Sequence, residues 1–113
     1  GSLSVTKTKG LVTVIPEKTL LFQNFPNPFN PDTWLPYQLA EDSTVTIRIY
    51  SIEGQLVRLL NLGEQQAGVY KNRTKAVYWD GKDSFGQPVA SGIYYYTLQA
   101  GEFSHTKKMV ILK

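Results

Sequence analysis

Residues Thr44 to Ile52 read TVTIRIYSI, and the alternation in that run constrains the chain more than any other stretch. Val45, Ile47 and Ile49 fall on one side of an extended backbone, Thr46 and Arg48 on the other. A helix would scatter the three aliphatic residues around its surface. A strand with one face on a core gathers them. Four further runs behave in the same way. TWLPYQL (Thr33–Leu39) sets Leu35, Tyr37 and Leu39 against Trp34, Pro36 and Gln38. KAVYWDG (Lys75–Gly81) ends in an Asp-Gly turn. SGIYYYTLQAG (Ser91–Gly101) and FSHTKKMVILK (Phe103–Lys113) form a hairpin around Ala100-Gly101-Glu102. In the first arm, Tyr94, Tyr96 and Leu98 share one face and Ile93, Tyr95 and Thr97 the other, so the strand is expected to be central.

QLVRLLNL (Gln55–Leu62) has a helical composition, but Gly54 and Gly63 bracket it at strand length, and it reads as a strand. GLVTVIP (Gly10–Pro16) is a short β-branched run ended by proline. The total is about seven strands with turns roughly every 8–12 residues, which is the pattern of an immunoglobulin-like antiparallel β-sandwich. The all-β class follows. Residues 1–19 read as an expression scar (Gly1-Ser2), a linker and a first strand, and residues 20–113 as the domain.

Composition removes several functions. The chain has no cysteine, which excludes disulfides, thiolate zinc and a cysteine nucleophile. Its net charge of +3 is mild, and no five like charges run together, so nucleic acid is not expected as a partner. Lys107, Lys108 and Lys113 read as the only local basic cluster. No stretch reaches the roughly 20 apolar residues of a membrane helix, so the chain is not expected to span a membrane that way. His105 is the only histidine. Its neighbours Ser104 and Thr106 point to the opposite face of the strand, and no phosphate loop joins a strand to a helix. No catalytic residue and no cofactor are expected, and the chain is read as no enzyme.

Four groups remain as candidates. Asp80 and Asp83 could offer oxygens to Ca²⁺, but two carboxylates are few for about 6–8 ligands; before glycine, such residues cap turns. Trp34 could stack on a polysaccharide, though aromatic side chains favour strand faces in any case. NFPNPFNPDTW (Asn24–Trp34) carries Pro26, Pro28 and Pro31, which fix φ and are expected to push Phe25, Asn27 and Asn30 into extended conformations. It reads as a self-capped corner whose Phe25 and Phe29 plug one end of the sandwich. Finally, Lys107 and Lys108 with Met109, Val110, Ile111, Leu112 and Lys113 form a last strand. Lysines on an edge block unwanted pairing, and an open edge is also what a receptor could grip by strand addition.

Gln23 to Pro31, with Phe25 in a tyrosine place, resembles the opening string of the C-terminal sorting domains of the bacterial type IX secretion system. VTIRIYSIEGQLVRLL is similar to that family's strand–turn–strand, with Gly54 in the turn. YWDGKDSFGQPVASGIYYYTLQAG is similar also to the immunoglobulin-like domain of the flagellar hook-capping protein, and KKMVILK to the family's final basic and apolar strand. The resemblance implies a non-catalytic C-terminal module of a larger exported bacterial protein, extracellular or at the cell surface, acting in secretion sorting or surface attachment. Its implied partners are a protein of the secretion or attachment machinery and a preceding domain of the same chain. The implied recognition residues are Asn27, Pro28, Phe29 and Asn30 with Lys107 to Lys113. The alternatives are a carbohydrate- or protein-binding sandwich, or a structural spacer beside an enzyme domain. Two departures stand out. Pro36 occupies a usually polar place and predicts an edge strand. Gly68 to Tyr78 is longer than the usual link, predicting an extra loop or a lengthened strand.

Overall fold

A computed structural model describes residues 3–8 and 11–113, with side chains from Ile15 onward. Gly1-Ser2, read above as a scar, and Gly10 lie outside the described residues. Leu3–Thr8 (β1) and Leu11–Pro16 (β2) form an antiparallel hairpin, where the sequence had suggested one strand and a linker. β2 runs beside two strands of the body, Tyr37–Leu39 (β5) and Gly68–Tyr70 (β8).

The body is the expected all-β sandwich. One layer holds four antiparallel strands in the order β11-β10-β6-β7, namely Phe103–Ile111, Gly92–Ala100, Ser43–Ser51 and Leu56–Gln65. The other layer combines Leu20–Leu21 (β3), β5 and β8 with a pair made by Thr33–Leu35 (β4) and Val77–Trp79 (β9). Between the layers lies one core. Val45, Ile47, Ile49, Leu98 and Met109 from the first layer meet Leu35, Leu39 and Trp79 from the second, all fully buried. The TVTIRIYSI alternation is realised residue for residue, and β10 is central as expected. Every buried side-chain polar atom among the described residues has a hydrogen-bond partner.

Strand segments exceed the seven expected, for physical reasons that lie in particular residues. Pro36 has no N–H to give a ladder, and it splits Thr33–Leu39 in two. The half before it pairs with β9, and the half after it pairs with both β3 and β8. The expected edge position is therefore corrected. Pro36 is buried where the chain changes partners, and its carbonyl still accepts the Phe22 N–H at 3.0 Å. The long link after Gly68 contains the unanticipated strand β8 and a turn held by Asn72. β7 is a strand despite its composition, with register shifts opposite Val45/Thr46 and Ile49/Tyr50. These bulges insert Val57 and Leu62, which both pack on the core, and they spoil the simple alternation.

Chemical denaturation tests the face assignment. Ile47→Ala should destabilise by about 2–5 kcal/mol through lost burial and a residual cavity. Thr46→Ala, one residue away on the outer face, should stay within about 0.5 kcal/mol.

Candidate functional site

Three of the four family-like motifs, Gln23–Pro31, the Gly81 turn of YWDG and the terminal KKMVILK, meet along one side of the sandwich. β3 belongs to the second layer and β11 is an edge of the first. The chain from Phe22 to Pro31 crosses from one to the other. Gln23 Nε2 donates to the Lys108 carbonyl at 2.8 Å. Val110 N–H donates to Asn27 Oδ1 at 3.0 Å. Phe29 N–H then donates to the Val110 carbonyl, and Leu112 N–H to the Phe29 carbonyl, both at 3.0 Å. The corner thus pairs with the outer edge of β11 from Lys108 to Leu112, in parallel at Phe29–Ile111.

The Phe29 ring is buried and meets the Trp79 indole edge-on at 5.7 Å, so it plugs the core as expected. Phe25 does not follow it inward. It stacks on Trp34 at 6.1 Å, half-buried on the outside of the second layer. All three X-Pro bonds of the corner are cis. The next motif locks onto the first at Gly81, where φ is +76° and a Cβ would overlap the Pro31 carbonyl oxygen. Only glycine permits that approach in that conformation.

Asn24 is the corner's internal pin. Its Nδ2 donates to the Pro26 carbonyl and to Thr33 Oγ1, each at 3.1 Å. Its backbone N–H donates to the Tyr96 hydroxyl at 2.9 Å, which itself donates to the Phe22 carbonyl at 2.8 Å. Burial pushes the Tyr96 phenol far above its ordinary range, while the hydrogen bond from Asn24 draws it back part of the way. Asn24, Thr33 and Tyr96 were not singled out from the sequence. Parity grouped Tyr96 with Tyr94 and Leu98 on one face, but nothing in the sequence pairs its hydroxyl with a residue 72 positions earlier.

Asp80 and Asp83 are occupied as turn residues. Asp80 Oδ1 accepts from the Lys82 N–H at 3.0 Å and from Arg58 at 3.2 Å. Asp83 Oδ1 accepts from Phe85 N–H and Gln87 N–H. Among the described residues no three acidic, histidine or cysteine side chains group as metal ligands. Trp34 is not an open platform, since the Arg73 guanidinium lies 4.5 Å above its ring and Tyr78 tilts against it at 5.3 Å. His105 is exposed and touches Phe103 edge-on. A second basic cluster went unread in the sequence: Lys71, Arg73 and Lys75 line the loop between β8 and β9. Alternation with Asn72 and Thr74 hid it, because it forms no run of like charge.

Sandwich layers, a plugged end and a terminal edge covered by a proline-rich corner define an immunoglobulin-like module of a non-catalytic fold. The family model described as the FlgD Ig-like domain matches residues 33–102, and the chain belongs to that family. No curated protein matches the sequence. Among solved structures, dimeric latent PorU from Porphyromonas gingivalis is similar over 83% of this chain and 9% of its own, at 20% identity and TM-score 0.61. PorZ of the same organism, an essential surface component of its type IX secretion system, is similar over 82% and 11%, at 17% identity and TM-score 0.52. FlgD from P. aeruginosa shares 31% identity over 65% of this chain and 52% of its own, with TM-score 0.50. The chain thus spans about a tenth of the first two proteins and half of the third. Among the described residues no helix is long and apolar enough to cross a membrane.

Tyr96→Phe should lower stability by about 1–3 kcal/mol, because it strands the Asn24 N–H and the Phe22 carbonyl. The raised phenol fixes the sign with pH. Its contribution is complete below the unfolded value of about 10 and is lost as pH rises above that. Denaturation at pH 8 and pH 11 should show a smaller alkaline loss in Tyr96→Phe than in the wild type. Gly81→Ala should destabilise by at least about 1–3 kcal/mol, from backbone strain and the Pro31 clash together.

Proposed function

We propose that this domain is the sorting or surface-attachment module of a larger exported bacterial protein, read by a secretion-machinery receptor as a folded surface. The observation that carries this reading is the joining of the Asn27–Asn30 corner to β11. Residues some 80 positions apart form one exposed ridge, with Asn27, Pro28 and Asn30 beside Lys108, Leu112 and Lys113. Phe29, Met109 and Ile111 are buried beneath and hold the ridge in place. The likeness of fold to a surface component of a type IX system supports it, as does the motif resemblance.

The geometry also reshapes the expected mechanism. The β11 edge from Lys108 to Leu112 already has partners in the corner, so a receptor strand cannot add there without displacing it. Recognition accordingly rests on side chains of the ridge. Among the described residues, the stretch of β11 before Lys108 has no strand partner on its outer edge.

Fusion to an exported reporter in a bacterium with type IX machinery tests this. Deleting Lys107 to Lys113 should abolish export, but it also removes Met109 and Ile111 from the core. The paired variant Asn30→Ala/Lys108→Glu alters only exposed positions. It should keep its Tm and lose export several-fold. Unchanged export after the deletion would overturn the proposal.

A further inference from the structure

The two long sides of the sandwich are finished differently. One is sealed by the Phe22–Pro31 crossing. The other lies between β7 and β9, and it is closed only at its lower end, where Arg58 reaches Asp80 at 3.2 Å and the Lys82 carbonyl at 3.0 Å. Ser84 N–H and Oγ add bonds to the Val57 carbonyl there. Above this clasp the side opens into a groove of about 440 Å³. Leu59, Leu60 and Leu62 form one wall and Ala76, Val77 and Tyr78 the other. Leu59 and Tyr78 are 44% and 49% exposed, so apolar surface stands open at the lip.

Two features say what would fill it. First, β7 is the outermost strand of its sheet, and above Val57 its outer edge has no strand partner among the described residues. An extended backbone is the complement of such an edge. Second, the rim is cationic. Lys71, Arg73 and Lys75 occupy one short loop with no acidic residue between Gln65 and Asp80. Lys75 lines the groove, and Arg73 lies 4.5 Å above Trp34, whose ring packs on Tyr78 at the lip; Lys71 sits over Phe22 at 4.2 Å, outside the groove lining. Among the described residues none of the three has a carboxylate within salt-bridge distance. The nearby acids are engaged elsewhere, Asp32 by the Tyr78 hydroxyl at 2.7 Å and Asp80 by Arg58.

We propose that the open side is a docking groove for an extended peptide segment that alternates apolar and acidic residues. Such a segment adds to the β7 edge. Its apolar side chains enter the groove between Leu60 and Val77, and its carboxylates turn outward to Lys75 and Arg73. An anionic polysaccharide fits less well, because the ring it would stack on, Trp34, is already covered by Arg73. The proposal stands apart from the secretion reading, since the ridge formed by the corner and β11 closes the opposite side of the sandwich.

The test uses the chain as it is and a fluorescein-labelled octapeptide of alternating glutamate and valine. Anisotropy at low salt should show saturable binding, with amide shifts in NMR spectra at Leu59, Asn61 and Val77. Arg73→Glu/Lys75→Glu changes two exposed side chains and should keep the fold, confirmed by an unchanged Tm. It should weaken binding at least about tenfold, or roughly 1.4 kcal/mol. A lysine–valine octapeptide should not bind. Absence of glutamate–valine binding, or equal binding by the charge-reversed variant, overturns the proposal. So does binding of polygalacturonate with shifts at Trp34 while the peptide leaves the spectrum unchanged.

Discussion

The seating of Phe29 holds the domain together. Its ring meets Trp79 inside the core, while its backbone bonds to Val110 and Leu112 at the sheet edge. One residue therefore joins the two layers and completes a ladder. Its neighbours exist to keep it there. Asn24 ties the corner to Tyr96, Asn27 caps the Val110 N–H, and Gly81 yields the space that the Pro31 carbonyl needs. The prolines stiffen a segment that has no strand of its own, which reduces the entropy lost in ordering it.

This arrangement closes one side of the sandwich without any disulfide, since the chain has no cysteine. An open sandwich leaves two long sides where water can reach the core and where edge strands can pair wrongly. The corner closes one of them with backbone bonds and a buried ring. The Arg58–Asp80 pair clasps the foot of the other, and as a partly exposed pair it contributes on the order of 0.2–1 kcal/mol. The two sides differ accordingly, one finished as structure and one left with apolar lining and a lysine, Lys75, that has no carboxylate partner among the described residues.

Much of this was legible in the residues themselves. TVTIRIYSI showed its buried face through period two, because only one of its sides is apolar. The terminal strands carry apolar residues on both sides, so alternation grouped their residues without saying which group turns inward. The β7 run showed only its bracketing glycines, since two bulges shift its inward residues out of phase. Pro36 was read as an edge signal because a missing donor is usually placed at an edge. A change of partner in mid-strand satisfies the same constraint and leaves no local trace. The corner's role as a plug could be read from its phenylalanines. Its bonds to β11 could not, since Gln23 and Lys108 stand 85 residues apart and side-chain amides give no hint of distant carbonyls.

That separation has a consequence for how the molecule comes into being. The seal needs Gln23–Pro31 and Lys108–Leu112 at once, so a ribosome must release nearly the whole domain before either half can settle. Contacts of such range are slow to find. Until they form, the phenyl of Phe29 and the rim of β11 stay bare, and a chaperone that holds apolar segments has its opportunity in that interval. A chain that breaks off before Lys108 never leaves that state, so emergence of the β11 strand is written into the shape of the finished fold.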